Sequence, residues 1–162
     1  MKLLVLGGSG LVGNSILKMN DNRFEIITTF NQNKIKIPKI SSFQCSLPQD
    51  FTRLEEVIRK EKPDVLVNAI GYSNLDFCES NKEKAHLLHV KISEKISNIT
   101  EKSNTKIIFL SSDYVFDGLK GNYQETDIPN PINYYGQTKV KAEEIILKNK
   151  NNSVLRTSVI YD

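Results

Sequence analysis

Tyr135 and Lys139 stand four residues apart in Tyr134-Tyr135-Gly136-Gln137-Thr138-Lys139, and on a helix that spacing brings two side chains to one face. A free phenol has a pKa of about 10 and trades its proton poorly near neutrality. A cation one turn away favours the phenolate and lowers that value, so the pair reads as a general acid/base with its tuner. Ser112 follows the apolar run 106–110, where its hydroxyl can hydrogen-bond a carbonyl oxygen that gains charge as hydride arrives. Such a Tyr and Lys taken alone can equally pack on a helix surface; the neighbouring elements decide between the two readings.

A strand, a loop and a helix must hold these three groups. Residues 106–110 read as the strand, Gly118 and Gly121 mark turns in a loop expected to lie over a cofactor, and Asn130-Pro131 leads into the helix. That helix is expected to continue through Val140, Ala142, Ile145, Ile146 and Leu147. At the other end of the chain, residues 2–6 form a short continuous apolar run, as in a strand buried on both faces of a parallel sheet. Gly7, Gly10 and Gly13 follow it and precede Leu11, Val12, Ile16 and Leu17 at helical spacing. In this context the glycines predict a tight turn that lets a pyrophosphate approach the backbone, with the helix N-terminus offering amides and dipole to the anion.

Residues 25–30 predict a second strand, 42–45 a third, 49–62 an amphipathic helix with Phe51, Leu54, Val57 and Ile58 on one face, and 65–70 a fourth strand. Residues 31–42 are expected to be loop. A single long helix over 81–102 would bury Ala85, Leu88, Ile92, Ile96 and Ile99, and residues 153–161 resemble the last strand of a known family with the stretch that continues it. About twenty residues past the glycines, an acid would hold the ribose 2′-hydroxyl of NAD. Asn31, Gln32, Asn33 and Lys34 stand there instead, which favours NADP(H), with NAD the alternative.

Composition narrows the class. In 162 residues, 39% hydrophobic and 25% charged content are ordinary for a globular domain. The net charge of +3 is spread through the chain, which argues against nucleic acid or an anionic membrane as partner. Cys45 and Cys78 form no CxxC and read as free thiols in a reducing cytoplasm. No apolar stretch approaches membrane-spanning length, the chain opens directly on a strand, and no metal site is expected.

The opening Gly7-Gly8-Ser9-Gly10-Leu11-Val12-Gly13 joins Ser111-Ser112-Asp113-Tyr114-Val115-Phe116-Asp117-Gly118, then Tyr123, Glu125-Thr126, Asn130-Pro131, Tyr135-Gly136-Gln137-Thr138-Lys139 and Glu143. This ordered set resembles the extended short-chain dehydrogenase/reductase family, in its dTDP-4-dehydrorhamnose reductase branch. The resemblance implies an α/β, doubly wound, Rossmann-like parallel sheet in the order 3-2-1-4-5-6. It assigns Ser112, Tyr135 and Lys139 as the catalytic triad and leaves Tyr134 as a decoy. Cofactor contacts are implied at Gly7, Gly10, Leu11, Val12, Asn31, Leu47, Ala69, Ile70 and Tyr72, besides Tyr135 and Lys139. Asp113-Tyr114 stands where dehydratases of the superfamily usually carry an acid pair, which favours a reductase. Two departures are visible: Ser46-Leu47 where relatives place an Asp before an apolar residue, and His89 where they often have Asn. The resemblance gives that Asn the role of helping to order the catalytic lysine, which His89 could still fill by hydrogen bonding; the favoured expectation is a surface or satisfied helix histidine.

The implied activity is NADP(H)-dependent reduction of a nucleotide-activated 4-keto-6-deoxysugar in the cytoplasm. The same stretches also resemble the regulatory subunit of methionine adenosyltransferase, a non-catalytic partner-binding module. Residues 1–162 would form one cofactor-binding domain that stops before the portion holding the nucleotide sugar, with a sheet edge open to homo-oligomer formation.

Overall fold

The computed structural model describes residues 1–161. Strands β1 (Lys2–Leu6), β2 (Glu25–Phe30), β3 (Ser41–Gln44), β4 (Val65–Asn68), β5 (Lys106–Ser112) and β6 (Ser153–Thr157) form a single sheet. Its order is β3-β2-β1-β4-β5-β6 and every neighbouring pair is parallel. This is the Rossmann-like arrangement expected. The central strand β1 is buried on both faces from Leu3 to Leu6, which is why its sequence runs apolar without alternation.

Two apolar layers enclose the sheet. On one face Leu17 of α1 (Leu11–Lys18) packs with Leu3, Val5, Ile26 and Val67. On the other, Leu54 and Ile58 of α2 (Phe51–Glu61), Ile92, Ile96 and Ile99 of α5 (Ile92–Ser103), and Ala142 and Ile146 of α6 (Tyr134–Ile146) cover Leu4, Leu6, Ile107 and Phe109. Among the described residues no helix is long and apolar enough to cross a membrane. Both cysteines are buried and unbridged.

The stretch expected as one helix over 81–102 is divided. Two short helices, α3 (Leu75–Ser80) and α4 (Lys82–His86), lead into a π-helical turn, Leu87–Lys91, and then α5. Helix α3 starts where the Asn74 side chain accepts from the Phe77 amide at 2.7 Å, a cap that an Asn at this position can supply. The last strand occupies Ser153–Thr157 of the 153–161 stretch, and the third begins at Ser41.

Helix α6 is held from both ends. Asn133 caps its start by accepting from the Gly136 amide at 2.8 Å. Near its end, Asn152 donates to the Ile146 carbonyl at 2.9 Å and accepts from the Ile107 amide of β5 at 2.8 Å. Between them Arg156 of β6 clasps Glu143, with Nη2 2.7 Å from Oε2 and Nε 3.1 Å from Oε1. Glu143 is only 3% exposed, so removing the guanidinium alone strands a buried carboxylate. Arg156→Leu should cost about 3 kcal/mol in urea unfolding, with Glu143→Leu/Arg156→Leu together recovering much of it.

Candidate functional site

The turn after β1 is shaped by its amides. Gly7, at φ +84°, donates to Thr29 Oγ1 at 3.0 Å, and Gly8 donates to the Thr29 carbonyl at 2.9 Å. A Cβ on Gly13 would fall 2.2 Å from the Gly7 oxygen, so only glycine lets α1 rest against the turn. Nothing from a side chain caps α1 at Gly10. Its first amides, which have no partner within the helix, are therefore open to water or an anion.

Those amides open into a cavity of about 530 Å³, and most of the residues singled out in the sequence meet there. Gly10, Leu11, Val12, Ala69, Ile70, Tyr72, Ser112, Tyr135 and Lys139 all line it. Gly7 lies in the turn beneath. Asn31 and Leu47 lie outside the cavity. Asn31 is exposed, takes the Gln44 amide on its carbonyl at 2.9 Å, and is joined through its side chain to the Ser46 hydroxyl. Leu47 packs against the main core cluster. Tyr114, read in the sequence as a departure from the acid pair of the dehydratases and not as a site residue, also lines the cavity and stands edge-on to Tyr135 at 6.0 Å. The loop after β5 lines, through Phe116, Asp117, Gly118 and Tyr123, a neighbouring cavity of about 1030 Å³ bordering β6.

Ser112 ends β5 and starts a single 3₁₀ turn, its hydroxyl donating to Asp113 Oδ1 at 3.1 Å. Tyr135 is 8% exposed and Lys139 is 5% exposed. The Lys139 ammonium donates to the Leu110 carbonyl at 2.8 Å and lies 4.7 Å above the Phe109 ring. Burial pushes its pKa down to about 8, partly offset by the Glu143 carboxylate. The expected tuning of Tyr135 is reversed: burial raises the phenol pKa, with the Ser112 hydroxyl pulling the other way. The ammonium is committed to Leu110 and stays 5.8 Å from the Tyr135 ring centre, so desolvation prevails. The phenol is kept protonated and suited to giving a proton. Tyr134 faces elsewhere, its amide donating to Glu79 at 2.6 Å and its ring lying under Lys82.

His89 corrects the surface alternative. It is 2% exposed, Nε2 accepts from the Tyr72 amide at 2.9 Å, and Nδ1 meets Thr138 Oγ1 at 2.8 Å. Burial, then the Lys139 charge, push its pKa down to about 3. An unfolded histidine takes a proton near pH 6.5 that the folded one refuses, so folded stability is full above that pH and falls as pH drops toward 3. Thermal midpoints should fall steadily between pH 7 and 4.5 in wild type and more shallowly in His89→Gln. Among the described residues no three metal-ligating side chains converge.

Residues 1–162 match the family model described as RmlD substrate binding domain. The methionine adenosyltransferase 2 subunit beta of Xenopus laevis is 31% identical over 99% of this chain and 47% of its own length. The dTDP-4-dehydrorhamnose reductase of Aggregatibacter actinomycetemcomitans is 30% identical over 97% of this chain and 51% of its own. Among solved structures, a hypothetical dTDP-4-dehydrorhamnose reductase from Sulfolobus tokodaii superposes with a TM-score of 0.89 at 39% identity, covering 98% of this chain and 56% of that one. The fold is shared with the Bacillus anthracis dTDP-4-dehydrorhamnose reductase, solved in complex with NADP, at a TM-score of 0.83 and 20% identity over 99% of this chain and 54% of that one. The chain thus spans about half the length of the curated relatives it matches.

Proposed function

The chain belongs to the RmlD substrate binding domain family, and from that premise we propose that it is the cofactor-binding half of an NADP(H)-dependent reductase. The substrate of that reductase is a nucleotide-activated 4-keto-6-deoxysugar. The observation that carries this reading is the convergence of an uncapped helix N-terminus and the Ser112, Tyr135 and Lys139 side chains on one cavity.

The residues fit a dinucleotide. A Cβ at Gly10 would meet only the Gly7 oxygen, at 3.3 Å, so this side of the turn is open to a pyrophosphate, which the Leu11 and Val12 amides would hold. Ala69, Ile70 and Tyr72 would flank the bound molecule, Lys139 and Tyr135 would take its nicotinamide ribose, and Asn31, Lys34 and Leu47 would meet the adenosine end. When bound, the nicotinamide supplies the hydride. Tyr135, protonated at neutral pH, gives its proton to the oxygen of the carbonyl being reduced. Ser112 turns its hydroxyl from Asp113 to the same oxygen and steadies the charge that develops there. Lys139, one helical turn on, offsets the phenolate left on Tyr135. Carbonyl, hydride and proton together make the alcohol.

A second reading is supported by the likeness to the methionine adenosyltransferase subunit, which extends over 99% of this chain: a non-catalytic NADP-binding module that acts on a partner. Tyr135→Phe separates the two. Any NADPH-dependent reduction of a dTDP-4-keto-6-deoxysugar should fall by about 10²–10⁴-fold, while binding to a methionine adenosyltransferase catalytic subunit should not change. Fast turnover that survives Tyr135→Phe would refute the assignment of the proton donor.

A further inference from the structure

We propose that the outer edge of β6 is the interface of a two-fold homodimer, in which β6 of one copy pairs antiparallel with β6 of a second copy about Leu155. The two sheets then continue into one. The inference goes beyond the cofactor reading and does not depend on it.

Strand β6 ends the sheet, with β5 on its inner side. Among the described residues no backbone hydrogen bond leaves its outer side, so every second residue presents an unmet N–H and C=O there. Soluble proteins blunt such edges with charge, proline or brevity. The opposite edge is blunted in this way: β3 is the polar four-residue strand Ser41–Gln44, and the exposed Lys36, Pro38 and Lys39 precede it. In β6 these devices are absent. Its five residues are Ser153-Val154-Leu155-Arg156-Thr157, and its one charge is turned inward, Arg156 being held by Glu143 with its guanidinium 5.1 Å from the centre of the Phe116 ring. Leu155, at the middle of the strand, stays 49% exposed. Leu147 and Ile132, also exposed, line the cavity of about 1030 Å³ that borders the strand.

The charges around the strand select what covers it. At its Thr157 end stand the carboxylates of Asp113, Asp117 and Glu125, all on the cavity wall. Ser112, just before Asp113, is the register partner of Thr157, and the Glu125 carbonyl accepts from Arg156 Nη1 at 3.4 Å. The cation of that loop, Lys120, is already paired with Asp127. At the Ser153 end the exposed Lys148 and Lys150 lie in the turn between α6 and β6. The strand is therefore acidic at one end and basic at the other. A parallel partner would set like charges together; an antiparallel one sets the acidic end of each copy against the basic end of the other, twice over because a two-fold contact is isologous. With Leu155 opposite Leu155, all five residues pair and the two exposed leucines meet on one face. The partner's Leu147 then comes to the Thr157 end, beside the stacked rings of Phe116 and Tyr123, whose centres are 4.2 Å apart.

The test is made on the purified chain, with mass measured by light scattering across a dilution series and hydrogen exchange read at both ends of it. A dimer that dissociates on dilution is expected, with the 153–157 amides exchanging more slowly in the dimer. Glu125→Lys and the pair Lys148→Glu/Lys150→Glu are then compared, after thermal melts show each to be folded. Either variant alone should weaken dimerisation by about tenfold or more, since each reversed contact occurs twice. An equimolar mixture of the two should recover wild-type assembly, because the altered ends are complementary again. A monomer at every concentration would overturn the proposal and leave the edge to a strand from another polypeptide. Equally fatal would be a dimer whose β6 amides are indifferent to dilution, or charge variants that assemble as wild type does or stay apart when mixed.

Discussion

Replacing Lys139 with Met should raise the thermal midpoint of the unliganded chain at pH 7 and weaken NADPH binding by at least about tenfold, which is about 1.4 kcal/mol. The two effects have opposite signs and one origin. The ammonium is held in a dry pocket where burial pushes its pKa from 10.5 down to about 8. Below about pH 8 the folded protein therefore carries a buried charge that the unfolded chain would hydrate, and folding is weakened accordingly. Between about 8 and 10.5 the unfolded chain binds a proton that the folded one has released, so stability rises with pH across that window. Methionine keeps most of the aliphatic stem against Phe109 and removes the charge; the loss is one hydrogen bond to Leu110. On the proposed cofactor reading, binding of the nicotinamide ribose is the reason for retaining a destabilising group. A fall in both midpoint and affinity would make Lys139 a structural cation instead.

Gly136→Ala should destabilise the chain by about 3 kcal/mol or more and abolish NADPH binding by whatever fraction still folds. On an ordinary helix this change stabilises by up to about 1 kcal/mol. Here the new Cβ would lie 2.1 Å from the Tyr114 carbonyl oxygen, 2.9 Å from Pro131 Cβ and 3.0 Å from the Tyr114 carbonyl carbon. Two of those three atoms are backbone and cannot rotate aside. Either α6 slides along β5 or the turn after Ser112 opens, and both displace the Tyr135 phenol from the Ser112 hydroxyl. Urea unfolding reads the sign: stabilisation by Ala would show that the contact between α6 and the turn is loose.

The parts of this fold that were legible in the sequence are those governed by local pattern. Residues 2–6 and 25–30 coincide with β1 and β2 because strands buried on both faces need unbroken apolar or β-branched runs. Tyr135 and Lys139 share a face because helical spacing requires it, and Ser112 lies opposite because a parallel strand delivers its last residues to the same end of the sheet as the glycine turn. The π-turn was not legible. Ala85, Leu88, Ile92 and Ile96 keep spacings of three and four whether or not one turn is widened, so periodicity could not show that His89 swings inward. The direction of the Tyr135 shift was equally hidden. It depends on where the Lys139 ammonium points, and that is set by the Leu110 carbonyl, 29 residues away in sequence. The place of Tyr114 on the cavity was hidden too, because an exposed aromatic beside a strand end looks the same whether it lines a cavity or not.

The central claim is that the glycine turn and the Tyr135-bearing helix together hold one nicotinamide dinucleotide. Calorimetric titration of the purified chain with NADPH and with NADH tests it most directly. Saturable binding of one NADPH per chain, with NADH weaker, is the predicted result; heats that never saturate with either nucleotide would contradict it.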